Sequence, residues 1–299
     1  MHAPKQTGAY VAGLCAVLAW STVATAFKIS LAHLTPAQLL LWANLASLAA
    51  LLSVLSIQGR LREVRIALGM HWRRSLLLGA INPFAYYLVL FQAYALLPAQ
   101  EAQAINYTWA LTLSLLSVPV LKQRLRARDV LSALVCYCGV LAIATHGQPF
   151  SLHFGNPRGV TLALCSTLLW AGYWLANTRD MREPVLGLTL NFLFSLPLVV
   201  LWCAWRGELM LPSWQGLAGA TYVGAFEMGF TFVLWLVALK RAHSTARIAN
   251  LIFLSPLISL LLIHWLLGEA ILPSTLAGLG LILAGLILQK IPQRQAAML

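Results

Sequence analysis

The chain has 299 residues, of which 60% are hydrophobic and only 9% are charged, whereas about a quarter of the residues in an ordinary soluble domain are charged. A mean hydropathy of +0.80 therefore excludes a soluble globular protein and indicates a polytopic membrane protein. A net charge of +12 would suggest a nucleic-acid partner for a soluble chain. Here the basic residues stand in short gaps between apolar runs, so we expect no nucleic-acid partner and assign the charge to membrane topology and anionic lipid headgroups.

Apolar windows of about twenty residues, the length of a helix that crosses a bilayer, divide the chain into membrane spans. They predict an all-α fold with ten transmembrane helices at 8–28, 36–57, 75–96, 98–121, 128–146, 158–178, 184–205, 214–238, 244–266 and 272–290. The first span has an alternative interpretation as a cleavable leader, because Lys5 precedes it and Ala24-Thr25-Ala26 resembles a cleavage site. A matching span later in the chain favours a retained helix.

The positions of lysine and arginine predict the orientation of these spans. Of the 20 Lys and Arg residues, 17 fall on the side of the N-terminus, and 3 (Lys28, Arg158 and Arg206) fall on the other side. Because basic loops stay in the cytoplasm, both termini are expected there. The predicted location is the inner membrane of a bacterium.

The sequence also repeats itself. The motif Leu14-Cys15-x-x-Leu18-x-Trp20 recurs as Leu164-Cys165-x-x-Leu168-x-Trp170, the pair Asn106 and Trp109 corresponds to Asn250 and Phe253, and Ala95-Leu96 corresponds to Ala238-Leu239. We therefore predict two five-helix units, residues 1–147 and 148–299. Since five is odd, the second unit enters the membrane inverted, an arrangement that places a substrate site at the midplane between the units in secondary transporters.

The repeat, the paired Trp20 and Trp170, and the segment Ala249–Pro256 followed by Gly268-Glu269 resemble the drug/metabolite transporter superfamily with two tandem EamA-type units. The aromatic content of the middle spans is most similar to the aromatic amino-acid exporters of the YddG type. The resemblance implies a carrier that exports small molecules by alternating access. The first unit departs from the pattern, since Thr112-Leu113 replaces Ser-Pro and Lys122-Gln123-Arg124 replaces Gly-Glu, which predicts unequal halves.

Several spans place aromatic or polar residues near the membrane midplane, although tryptophan normally lies at the headgroup level. Flat rings at one depth can stack on a planar substrate, and amide or hydroxyl groups can orient it. Packing between helices is the alternative explanation for each of these residues. The predicted substrate-binding residues are Trp20, Tyr86, Tyr87, Asn106, Tyr107, Trp109, Trp170, Tyr173, Glu227, Asn250 and Phe253.

Glu227 is an ionisable residue in a mid-membrane segment, where ionisation costs at least about 2.5 kcal/mol on insertion scales. Three roles remain open: binding a substrate ammonium or another cation, carrying a coupling proton, or bonding a neighbouring helix in the protonated form. Gly224 and Gly229 beside it predict the close approach of a helix or a substrate. Pro83 and Pro256 interrupt backbone bonding at depth and are predicted hinges, or simply tolerated kinks.

Enzyme chemistry has little support in the sequence. No zincin, nucleophile-elbow, P-loop or dinucleotide motif is present, and His146 and His264 are expected to be interfacial residues without an acidic neighbour. The five cysteines lie in apolar segments and are interpreted as buried, so neither a metal nor a cofactor is expected. The predicted function is export of aromatic or other apolar amino acids and related metabolites by a monomer, with proton coupling as an option. The alternative is an exporter of hydrophobic cationic drugs.

Overall fold

The computed structural model describes residues 3–122, 127–150, 155–242, 248 and 251–290, and every regular element in those ranges is helical. The α-helices are α1 Ala3–Ser21, α2 Val23–Leu31, α3 Pro36–Ile57, α4 Leu61–Gly79, α5 Tyr86–Leu96, α6 Ala99–Asn106, α7 Trp109–Leu121, α8 Ala127–Ala144, α9 Pro157–Asn177, α10 Pro184–Trp205, α11 Trp214–Tyr222, α12 Phe230–Arg241, α13 Leu254–Leu267 and α14 Pro273–Lys290. Two π-helical turns, Ala80–Ala85 and Val223–Glu227, join α4 to α5 and α11 to α12.

Eight helical segments in the described part of the chain are long and apolar enough to cross a membrane. They are Thr7–Leu31, Pro36–Ile57, Leu61–Leu96, Ala99–Leu121, Ala127–Ala144, Pro157–Asn177, Pro184–Trp205 and Trp214–Arg241. The shorter apolar helices Leu251–Leu267 and Pro273–Leu288 follow them. The protein is therefore a multi-pass α-helical membrane protein with eight to ten crossings, and we number these ten segments in chain order as spans 1 to 10.

Three spans begin at a capping residue followed by proline, which fixes their start in the sequence. The pairs are Thr35-Pro36, Asn156-Pro157 and Glu183-Pro184. The Thr35 hydroxyl accepts a hydrogen bond from the backbone N–H of Gln38 at 3.2 Å, and Glu183 accepts one from Leu186 at 2.9 Å. The cap satisfies an exposed N–H group, and proline in the first turn has no N–H group to satisfy.

Spans 3, 4, 8 and 9 are interrupted near their middle, in two repeat-related pairs, and span 1 is also broken at Thr22 between α1 and α2. In span 3, Asn82 has non-helical dihedrals of φ −139° and ψ 117° within the π-helical turn, and in span 8 Gly229 has φ −117° and ψ −99° just after its π-helical turn. Span 4 is broken at Tyr107–Thr108 between α6 and α7. Span 9 has a 3₁₀ turn, Leu251–Phe253, before α13. Such breaks at depth are tolerated where protein shields the backbone or a cavity is lined.

The contacts of spans 1 to 5 correspond to those of spans 6 to 10. When two spans pack against each other, the two spans that are equivalent to them in the other half of the chain also pack against each other. Span 1 packs against spans 8 and 9 through α12 and α13, and span 6 packs against spans 3 and 4 through α5 and α7. Span 2 packs against span 7, and span 5 packs against span 10. Segments 1 to 5 and segments 6 to 10 therefore contribute equivalent contacts to one helix bundle.

Two corresponding glycines allow close backbone contacts between the units. A methyl group on Gly79 would collide with the carbonyl oxygen of Asn191 on α10, and one on Gly224 would collide with the carbonyl oxygen of Ala43 on α3. The close approach predicted at Gly224 is confirmed. Because these backbones touch, the π-helical turns of spans 3 and 8 are held against spans 7 and 2.

The cysteines differ from the sequence interpretation. Cys136 and Cys203 are buried, but Cys15, Cys138 and Cys165 are exposed on the outside of the bundle. An apolar span surrounded by lipid can carry small side chains on its outer face, so the composition of a span does not show which face is buried.

We predict that Gly79→Ala and Gly224→Ala each destabilise the protein by about 1–3 kcal/mol, because the added methyl group forces packed helices apart. Gly69→Ala on α4 and Gly280→Ala on α14 are matched controls, since a methyl group meets nothing within 4 Å at either position. The midpoint of thermal unfolding in detergent micelles should fall for the first two variants only. Equal midpoints for all four variants would contradict the packing described above.

Candidate substrate-binding site

Trp170 of α9 is the centre of an aromatic cluster at the junction of the two units. Its ring is stacked with Tyr86 at a centroid distance of 4.5 Å and an interplanar angle of 28°, and with Tyr173 at 5.8 Å and 26°. Trp109 meets Trp170 edge-on at 6.3 Å and 90°. Four of the predicted site residues are therefore brought together.

The sequence positions these rings in two ways. Trp170 and Tyr173 are three residues apart on α9, so they lie on one face of the helix. Tyr86 is the first residue of α5, directly after the π-helical turn Ala80–Ala85 that contains Pro83. The predicted hinge therefore adjoins the residue that stacks on Trp170.

A second group of rings surrounds Trp20 in span 1. Trp20 meets Phe232 at 5.6 Å and Trp235 at 5.4 Å, both on α12. Phe232 also reaches Trp170 at 6.4 Å, so it connects the two repeat-related tryptophans. Sequence reasoning missed Phe232 and Trp235, although their spacing of three residues would have placed them on one face of span 8.

Glu227 ends the π-helical turn of span 8 and is half-buried. The hydroxyl of Tyr87, which is only 1% exposed, donates a hydrogen bond to its Oε1 atom at 3.1 Å. The ring of Tyr87 lies 4.8 Å from that of Tyr86. The carboxylate is thus connected to the aromatic cluster through one tyrosine pair.

The remaining predicted residues lie at the interruptions of spans 4 and 9. The amide of Asn106 donates a hydrogen bond to the hydroxyl of Ser166 on α9 at 2.9 Å. This bond joins two helices, which is the alternative to substrate binding given for these residues. Tyr107 follows at the break, half-buried. Phe253 ends the 3₁₀ turn and packs against the main core. Asn250 lies outside the described residues.

Pro256 lies in the first turn of α13, where proline is tolerated because its missing N–H group has no helical partner to lose. The interruption of span 9 therefore precedes Pro256 at Leu251–Phe253, whereas Pro83 lies inside the interruption of span 3. The two predicted hinge prolines hold different positions relative to their breaks.

Charged groups fix the turn between spans 3 and 4. The Lys28 ammonium donates to the carbonyl oxygens of Tyr94 at 3.0 Å and Leu97 at 2.9 Å. The Glu269 carboxylate accepts hydrogen bonds from the backbone N–H groups of Ala99 at 2.7 Å and Gln100 at 3.3 Å. The end of α5 is capped by a side chain from span 1, and the start of α6 by one from the loop between spans 9 and 10.

His146 corrects the sequence interpretation. Its Nε2 atom lies 2.6 Å from Oε1 of Glu101, whose side chain is 5% exposed. The expectation of a histidine without an acidic neighbour is therefore wrong. The two residues are 45 positions apart, and neither local pattern indicates the other.

Within the described ranges, no group of three His, Cys, Asp or Glu side chains is placed to hold a metal ion. The cluster instead presents aromatic faces, phenol hydroxyls, an amide and the Glu227 carboxylate. This chemistry suits an organic molecule with a flat apolar part and a polar or cationic part.

Two stretches of the chain, residues 7–145 and 157–289, match the model of the EamA-like transporter family. The chain belongs to this family. It is therefore a membrane transporter of the drug/metabolite transporter superfamily with two EamA repeats, and the resemblance stated from the sequence is confirmed.

A curated relative of this EamA-like transporter is the aromatic amino acid exporter YddG of Ancylobacter novellus, which is 25% identical over 181 residues. That match covers 60% of this chain and 63% of the exporter, a little under two thirds of the relative's length. A protein of known crystal structure has the same fold, with 22% identity, a TM-score of 0.66, and coverage of 95% of this chain and 97% of the other.

Proposed function

We propose that this EamA-like transporter exports aromatic or other apolar amino acids and related metabolites across the bacterial inner membrane. The observation that carries the proposal is the stack of Tyr86, Trp170 and Tyr173 joined through Tyr87 to the Glu227 carboxylate. The similarity to an aromatic amino acid exporter supports the same substrate class.

The substrate ring stacks on Trp170 in place of Tyr86. Each offset or edge-on aromatic contact contributes about 0.5–1.5 kcal/mol beyond the area it buries, so exchanging a Tyr86 contact for a substrate contact costs little. The π-helical turn before Tyr86 gives α5 the freedom to withdraw the tyrosine. The substrate ammonium binds Glu227, which is half-buried and already accepts a hydrogen bond.

Transport proceeds by alternating access between two inverted five-helix units, residues 1–147 and 148–299, with the substrate at their junction. Two observations support this arrangement. Spans at equivalent positions in the two halves make equivalent contacts, and the interruptions of spans 3 and 4 are matched by those of spans 8 and 9. Pro83 and Pro256 act at the bending points. The carrier works as a monomer on a small-molecule substrate.

The second candidate function is export of hydrophobic cationic drugs. A carboxylate beside stacked rings also suits a delocalised cation, because the faces of tryptophan and tyrosine attract positive charge. A free carboxylate on the substrate distinguishes the two functions. It helps binding in an amino-acid exporter and hinders it in an exporter of cations.

Proteoliposomes loaded with unlabelled phenylalanine should accumulate external labelled phenylalanine or tryptophan. Trp170→Ala should raise the KM of this exchange about tenfold, because loss of the stacking contact with the substrate ring amounts to about 1.4 kcal/mol. Trp265→Ala is the matched control, since Trp265 is 75% exposed. Wild-type protein that exchanges neither amino acid would refute the amino-acid proposal, and exchange of tetraphenylphosphonium in its place would establish the alternative.

Glu227→Gln should raise the KM for phenylalanine about tenfold across the neutral pH range, because the amide cannot form an ion pair with the substrate ammonium. The pH dependence of exchange should otherwise follow that of the wild type. A variant with unchanged KM whose exchange no longer depends on pH would instead assign Glu227 to the coupling proton. Tyr87→Phe, which keeps the carboxylate, serves as the control for disturbed packing.

Both termini are placed in the cytoplasm by the proposal, on the side that carries 17 of the 20 Lys and Arg residues. A green fluorescent protein fused to the C-terminus should fluoresce in cells, and alkaline phosphatase fused in that position should be inactive. Phosphatase inserted in the loop at Arg206 should be active. The reverse pattern would overturn the orientation.

A further inference from the structure

Corresponding loops are joined by polar contacts at the two ends of the bundle. At one end, the loop between spans 1 and 2 is joined to the loop between spans 7 and 8, where the Thr35 hydroxyl donates to Oε2 of Glu208 at 2.6 Å. At the other end, the loop between spans 6 and 7 is joined to the loop between spans 2 and 3 by the ion pair of Glu183 and Arg60 at 3.5 Å. The two contacts are equivalent in the repeat. The loop between spans 1 and 2 corresponds to the loop between spans 6 and 7, and the loop between spans 7 and 8 corresponds to the loop between spans 2 and 3.

Beyond this correspondence, the end formed by the loop between spans 6 and 7 carries a buried ionic network. Arg182 and Asp180 pair at 2.6 Å with side chains that are 4% and 7% exposed. Arg182 also donates to the hydroxyl of Ser75 on α4 at 2.7 Å, and Arg74 lies 3.5 Å from Asp180. We call these four residues the Arg182 latch, since they fasten the loop to span 3.

The latch is charged at neutral pH. Burial would raise the pKa of Asp180, but the hydrogen bonds from Arg182 and the charges of Arg182 and Arg74 outweigh it and hold the pKa below its ordinary value. A buried ion pair gains little net stability over apolar packing, yet the loss of one of its bonds is costly. Such a pair therefore responds strongly to a change in its surroundings.

At the other end of the bundle, Leu34 stands at the position that corresponds to Arg182 and makes apolar contacts. The buried side chain of Leu34 packs against Gly216 on α11, and Ser30 packs against Gly219 one turn further along. Apolar packing therefore takes the place of the latch at the other end, although that end also carries the Thr35–Glu208 hydrogen bond and the buried Glu101 beside His146.

One residue connects the latch to the aromatic cluster. The Oδ1 atom of Asn191 on α10 accepts a hydrogen bond from Arg182 at 3.1 Å, and its Nδ2 atom donates to the hydroxyl of Tyr173 at 3.4 Å. Asn191 is 1% exposed, and Tyr173 stacks on Trp170. A continuous path of contacts therefore runs from Trp170 through Tyr173 and Asn191 to Arg182.

We propose that Asn191 is a positioning residue that couples occupancy of the aromatic cluster to the Arg182 latch. The proposal rests on the proposed function, in which a substrate ring stacks on Trp170. A ring that shifts Tyr173 removes the partner of the Asn191 amide, and the amide turns away from Arg182. The latch loses an acceptor for its buried charge, and this end of the bundle opens.

Distances between spin labels test the proposal in liposomes, in a variant that lacks the native cysteines. The latch end is labelled at Met70 and Met181, which are 71% and 94% exposed. The other end is labelled at the corresponding exposed positions His33 and Gln215. Because the two pairs occupy equivalent places in the two units, each is the control for the other.

The first arm uses no ligand. Arg182→Gln should lengthen the Met70–Met181 separation by on the order of 5 Å, the scale of one helical turn, and should leave the His33–Gln215 separation unlengthened. Thr35→Val, which removes the corresponding bond at the other end, should not lengthen the Met70–Met181 separation. An unchanged Met70–Met181 separation in Arg182→Gln would show that the Arg182 latch does not hold this end of the bundle together.

The second arm adds phenylalanine or, separately, tetraphenylphosphonium. Either probe, once bound, should lengthen the Met70–Met181 separation in the wild type, and Asn191→Leu should lose this response while tryptophan fluorescence still reports binding. Tyr173→Phe, which keeps the ring and removes only the hydroxyl, should lose the response as well. A response retained in both variants overturns the coupling alone. If neither probe binds the wild type, the proposed function and the coupling fail together, and the first arm still decides the latch.

Discussion

A membrane interior offers no water to satisfy backbone or side-chain polar groups, and this constraint governs the whole bundle. Spans 3, 4, 8 and 9 nevertheless contain interruptions, which persist because neighbouring helices shield them. Gly79 and Gly224 let the backbones of spans 7 and 2 press against the π-helical turns. The interruptions in turn place Tyr86, Tyr107 and Glu227 at the junction of the units. The candidate site therefore depends on close packing of the neighbouring helices against these interruptions.

The two EamA repeats are alike in how their helices pack and unlike in the chemistry of their ends. The Gly-Glu of span 9 supplies Glu269, which caps the start of α6, and the corresponding place in the first unit holds Lys122 instead. One closing loop carries a buried arginine and aspartate, and the other carries Leu34. A carrier with equal packing and unequal ends can favour one state at rest and still pass through both, because only the small energies at the ends differ.

The fold was largely predictable because apolar composition and span length are strong signals in a membrane protein. Trp170 and Glu227 could be selected as candidate site residues, since bulky rings and a carboxylate are unusual at mid-membrane depth. Phe232 was missed, because a phenylalanine in an apolar span is equally suited to lipid and only its spacing of three residues from Trp235 distinguished it. His146 pairs with Glu101, and Asn191 bonds both Arg182 and Tyr173. These partners lie on different elements, and no local pattern encodes such contacts. Asn191 was visible as an amide in an apolar run, but its partners lie on other elements.

The most direct test of the central claim is a structure of the protein in a lipid nanodisc with phenylalanine bound. The account predicts the substrate ring stacked on Trp170 and its ammonium within hydrogen-bond distance, about 3 Å, of the Glu227 carboxylate. Phenylalanine bound away from Trp170, with the rings of Tyr86 and Trp170 still stacked on each other, would contradict it.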